Sequence, residues 1–274
     1  MGADTERLAG YVEAWRLAVD DTIRLLRELS DEDWDRPTDL DGWDVRAVTA
    51  HLAHLESELA GNPQPTVTVP ELPHVASPMG AYTEQGPVAR TDWPIERIVD
   101  ELERSAATRL EALRADPPTD GSGVPPRTPG GIGWDTRTLL SNRVVDVWMH
   151  QQDIRRAVGR PGGFDTPAAA HTVRVLAGGM SYVLGKRVAA PAGTTLVLEV
   201  TGSHAFRTAL GVGADGRAAT LEAPPESPDV SIRMDTEAFV VLAGGRRQPS
   251  AVPVWVDDDV ELGARFLGAM AITP

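Results

Sequence analysis

Gly42-Trp43-Asp44-Val45-Arg46-Ala47-Val48-Thr49-Ala50-His51-Leu52 is the stretch from which the fold can be read. Asp44 stands where a helix begins, with a carboxylate able to accept a hydrogen bond from a first-turn N–H. Trp43 precedes it and Val48 falls four residues after it, the spacing of a hydrophobic staple across a helix start. Val45, Val48, Leu52, Leu55 and Leu59 then recur at the helical period, which predicts a helix over 45–60, stopped by Gly61 and Pro63. The pentad returns as Gly133-Trp134-Asp135-Thr136-Arg137, with Leu139 in the staple position. It opens a predicted helix over 136–158 that Gly159 and Pro161 close. Two similarly capped helices of one bundle follow from the echo; five residues are too few to show a duplicated half.

Outward from these two helices the pattern continues. Leu8, Tyr11, Trp15, Val19, Ile23 and Leu26 predict a helix over 7–29, and another is expected over 94–114. Thr166 as N-cap and Pro167 at the first helical position open a fifth, to about residue 184. The stretch 62–92 holds several prolines and reads as a long loop, a kind of segment that is usually functional or mobile. After Pro191 the texture changes: Thr195-Leu-Val-Leu-Glu-Val-Thr201 alternates β-branched and apolar residues. Further strands are expected over 205–210, 230–234 and 254–256, with helices over 236–243 and 260–270. The expected architecture is mainly α: a four-helix bundle over 1–190, then a small α+β domain over 191–274.

Composition excludes several classes. The 274 residues carry 26 Lys+Arg against 40 Asp+Glu, a formal charge of −14. Such a balance disfavours a nucleic-acid backbone and an anionic membrane surface as partners. Cysteine is absent, which removes disulfides, thiolate metal sites and a cysteine nucleophile; any thiol chemistry must borrow its thiol. No phosphate-binding glycine loop and no Gly-x-Ser-x-Gly elbow is present. With no targeting segment and no apolar run long enough to span a bilayer, a cytoplasmic monomer or homodimer is expected.

The candidate chemistry lies with histidine. Relative to the stripe of the 45–60 helix, His51 lies on the flank, able to look into a bundle, and His54 nearly opposite, toward solvent. In the 136–158 helix, Asp146 and His150 are four residues apart and leave the same face one turn apart. That pair suits two ligands on one metal ion, although such pairs are more often surface charge pairs. His51 from a facing helix would complete a three-ligand set with an open position, the plan of a catalytic zinc site. Other divalent cations suit the same donors.

The 42–52 stretch, together with Asn142-Arg143-Val144-Val145-Asp146-Val147-Trp148-Met149-His150-Gln151-Gln152-Asp153, resembles the signature of the mycothiol-dependent maleylpyruvate isomerase family. The resemblance implies a DinB-like metal-binding bundle joined to a sterol-carrier-like α+β domain. It implies a divalent metal, commonly zinc, on His51, Asp146 and His150, with aspartate at 146 where the family usually has glutamate. Asp153 matches a frequent acidic position: it either orients His150 or forms a salt bridge with Arg156 or Arg143. The family places an arginine of the second domain toward the active site, for which Arg246 and Arg247 are the candidates beside their reading as loop arginines. Arg143 is a further candidate for the anionic thiol or substrate.

The implied activity is mycothiol-dependent: a metal-bound thiolate adds to an electrophilic small molecule. Rotation and expulsion of the thiol give isomerisation, and its retention gives S-transfer. A non-catalytic metal- or ligand-binding protein on the same fold is the alternative, and a hydrolase using metal-bound water a third reading.

Overall fold

Asp44 and Asp135 each close a helix start. Asp44 accepts from the Ala47 amide at 2.7 Å and Asp135 from the Thr138 amide at 2.7 Å. The structure, a computed structural model, describes residues 2–273. The two capped helices are α2 (Val45–Leu59) and α5 (Thr136–Ala157); with α1 (Ala3–Arg27) and α4 (Ile95–Ala115) they form a four-helix bundle. α2 packs on α4 and α1 on α5, around a core that includes Leu8, Trp15, Leu26, Leu52, Ile98, Leu102, Val144 and Ile154.

One helix departs from the sequence expectation. α3 (Pro78–Ala89) lies inside the stretch read as a loop and packs against α2. At their crossing Gly86 comes so close to His54 that a Cβ would stand 2.8 Å from the His54 Cβ. The solvent-facing reading of His54 is corrected by this helix: the side chain is buried between α2 and the segment ending at Arg90.

The chain divides into two compact units after His171. The texture of the sequence changes later, at about residue 190, because the second unit opens helically. α6 (Pro167–Gly178) is followed by a single turn, α7 (Met180–Tyr182), and a π-helical turn, Val183–Arg187. This replaces the uninterrupted helix expected to residue 184. The strands are β1 (Thr195–Thr201), β2 (Phe206–Val212), β3 (Ala218–Thr220), β4 (Val230–Asp235) and β5 (Val254–Asp258), in the order β3-β2-β1-β4-β5. β1 and β4 run parallel and the other pairs antiparallel. α8 (Thr236–Ala243) and α9 (Val260–Gly268) pack against the sheet face that presents Leu196, Leu198, Val200, Ile232 and Met234. The fold class is thus mainly α, a four-helix bundle followed by a small α+β unit. Among the described residues no helix is long and apolar enough to cross a membrane.

Candidate metal centre

The caps fix where α2 and α5 begin, and so which side chains meet between them. His51 stands nearly two turns into α2, and Asp146 and His150 project from one face of α5. The Nε2 atoms of His51 and His150 each lie 3.6 Å from Asp146 Oδ1. One atom from each residue falls within 4.8 Å of the others. His51 is almost fully buried and Asp146 the most open of the three, so the set is approached over the carboxylate.

The far nitrogens settle the tautomers. His51 Nδ1 lies 3.4 Å from the Thr83 carbonyl, which can only accept, so Nδ1 carries the proton. His150 Nδ1 donates to Asp153 Oδ2 at 3.1 Å. Both Nε2 lone pairs therefore face a carboxylate oxygen. Burial pushes the His51 imidazole pKa down, against the opposing pull of Asp146, so the ring stays neutral. Burial raises the Asp146 pKa, but the Arg143 guanidinium together with His150 and His51 outweighs it and holds the carboxyl well below the usual range. Two imidazole nitrogens and a carboxylate oxygen converge, and a divalent cation suits such a set. Tetrahedral zinc with bonds of about 2.0–2.1 Å spaces its ligands about 3.3 Å apart, near the 3.6 Å separations here. The residues fit a divalent cation, without singling out zinc.

Trp43 covers the two imidazoles, its ring centroid 4.9 Å from that of His51 and 6.0 Å from that of His150. Its Nε1 donates to Glu84 Oε2 at 2.7 Å, and the same oxygen lies 3.0 Å from His74 Nε2. His74 packs against Gly42, whose φ of +77° and lack of a side chain admit the ring. Residues before and after α2 are thus tied to the lining of the site.

Over residues 15–155 the chain matches the family model described as the mycothiol maleylpyruvate isomerase N-terminal domain. The chain belongs to the mycothiol-dependent maleylpyruvate isomerase family. No curated protein sequence matches it. Among solved structures, it is similar to the crystal structure of a mycothiol-dependent maleylpyruvate isomerase, at 22% identity and a TM-score of 0.58, covering 91% of this chain and 92% of that one. A histidine-to-alanine mutant carrying the same description is similar at 21% identity and a TM-score of 0.57, with the same coverage. At these identities the likeness is one of fold.

In this member of the maleylpyruvate isomerase family the residues singled out from the sequence fall into two groups. His51, Asp146, His150, Asp153 and Arg143 come together in the first unit. Asp153 accepts from His150 through Oδ2 and from Arg156 through Oδ1. Arg143 is buried, and its guanidinium bonds Glu56 and Asp146. Arg246 and Arg247 belong to the second unit. Arg246 is buried and donates to the Gly244 carbonyl at 2.6 Å and to Thr273, while Arg247 is exposed. The sequence reading missed Glu56, Trp43's cover over the rings, and the Thr83 carbonyl. For Glu56 the available signal was a carboxylate close to the apolar stripe of α2. Thr83 lies on the helix that was read as a loop.

Proposed function

We propose that the chain is a metal-dependent enzyme of the mycothiol-using maleylpyruvate isomerase type, acting as an isomerase or an S-transferase on an electrophilic small molecule. The observation that carries this reading is the convergence of His51 Nε2, Asp146 Oδ1 and His150 Nε2 with the other imidazole nitrogens turned to Thr83 and Asp153. A divalent cation bound there supplies the charge that keeps an external thiol as thiolate, and the thiol supplies the nucleophile this cysteine-free chain lacks.

The chain's own residues prepare the site. Asp153 fixes the His150 tautomer and ring angle, the outer support that histidine ligands usually have. Thr83 does the same for His51 through its carbonyl. Trp43 packs over both rings and shields that side from water, leaving the approach over Asp146. Arg143 is proposed to contribute positive potential from below.

Elemental analysis of the wild type beside His51→Ala and His150→Ala tests the reading. The expected result is near-stoichiometric divalent metal in the wild type and none in the variants, with unchanged circular dichroism. Consumption of maleylpyruvate or a related electrophile should then require mycothiol. A wild type that holds no metal and takes up no added zinc overturns the proposal, and turnover without thiol would favour hydrolysis.

A further inference from the structure

Beneath the candidate centre lies a knot of buried charge to which each bundle helix contributes one side chain. Glu56 of α2 is completely buried. Its Oε1 accepts from Trp15 Nε1 of α1 at 2.9 Å and from Arg143 Nε and Nη2 of α5 at 3.2 and 2.7 Å. Its Oε2 accepts from Arg109 Nη1 of α4 at 2.9 Å. Arg109 also stacks over the Trp15 ring, 4.5 Å from its centroid. One donor of Arg143 remains directed upward: Nη1 bonds Asp146 Oδ2 at 2.8 Å. The other oxygen, Oδ1, is the one that faces both imidazoles.

We propose that Glu56, acting through Arg143, is a positioning residue that makes Asp146 a single-oxygen ligand. The inference rests on the metal-centre reading above and goes beyond it. A free carboxylate turns about its Cβ–Cγ bond and can offer a cation one oxygen or both. Here one oxygen is committed to a guanidinium whose far edge is held in turn, because Glu56 Oε1 accepts from both Nε and Nη2 of Arg143. The planar fork of arginine suits this task, as it engages carboxylates on two edges at once, which an ammonium cannot do. Two carboxylates and two guanidinium groups also cancel in formal charge. Glu56, Arg109 and Arg143 thus carry one positive charge between them, which offsets the carboxylate they orient. Ordinary buried ion pairs contribute little net stability compared with apolar packing, which leaves orientation as the role this geometry supports.

The structure further predicts which parts of the knot matter to the centre. Arg109 bonds the other oxygen of the same Glu56, but it has no hydrogen bond to Asp146. Glu56→Gln weakens the anchor, Arg143→Lys keeps the charge and loses the fork, and Arg109→Met disturbs the same buried carboxylate from the opposite side. The probe is cobalt(II) added to metal-free protein, because its visible absorption reports coordination geometry. Glu56→Gln and Arg143→Lys should weaken cobalt binding by about ten-fold or more and alter the spectrum, whereas Arg109→Met should lower thermal stability yet keep affinity within about two-fold and the spectrum unchanged. Wild-type affinity and spectrum in the first two variants overturn the positioning role and leave the metal centre standing. A wild type that takes up no cobalt overturns the centre and this inference with it. If Glu56→Gln does not fold, Arg143→Lys against Arg109→Met decides the matter.

Discussion

The two units bury different things. The first encloses Glu56, Arg90, Arg109, Arg143, Asp153 and four histidines at positions 51, 54, 150 and 171. In the second unit the interior is Leu196, Leu198, Val200, Ile232, Met234, Phe239 and Phe266, and its buried Arg246 bonds the carbonyl just past α8. A buried charge is costly unless it is paired, and paired charges rarely stabilise more than apolar groups of equal size. The first unit therefore keeps in its interior a chemistry that packing alone does not call for, while the second reads as a packing solution. Stability and metal affinity should respond separately to mutation in the two.

The largest effect is expected from Phe239→Ala. The ring is fully buried, and its removal should cost about 3–5 kcal/mol in denaturant unfolding while the refolded protein binds metal with unchanged stoichiometry. Metal lost in proportion to stability would erase the contrast. Asp153→Asn should do the opposite, weakening metal affinity by about 10–100-fold with a smaller change in unfolding, since the amide keeps the shape and can still bond Arg156 or His150. Asp44→Ala removes the cap of α2 and should cost about 1 kcal/mol; the same change at Asp135 should match it if the two helix starts are equivalent.

The smallest effect concerns pH. Burial, aided by the Arg90 charge, lowers the His54 pKa from 6.5 to about 4. A ring whose folded pKa is depressed gives stability that is complete above its unfolded value and is lost as pH falls from about 6.5 toward 4. Imidazole NMR signals of His54 should stay those of the neutral ring down to about pH 5; titration near 6.5 would place the ring in water.

These contrasts also show what the sequence could reveal. α2 and α5 were legible because cap, staple and stripe agree, and their start points decide that His51, Asp146 and His150 meet. α3 was not legible, since of its twelve residues only Glu84, Gly86 and Pro87 are buried and Pro87 sits within it. Its start was nevertheless marked, by Ser77 accepting from the Gly80 amide and Pro78 opening the helix. Missing α3 led directly to placing His54 in solvent. Glu56 was missed for another reason: although it lies close to the apolar stripe, a carboxylate in a helix reads as solvated until its partners on three other helices are known.

His51 and His150 belong to helices that are far apart in sequence and share no local turn. The centre they outline cannot form piecemeal in a short segment of chain; the bundle must close first, at the entropic cost of a loop of about 100 residues. Occupancy would thus act as a meter of complete bundle closure. A ligand that binds only the closed form draws the population toward it, so added metal should slow hydrogen exchange across α2 and α5 together, and not merely around the three ligands.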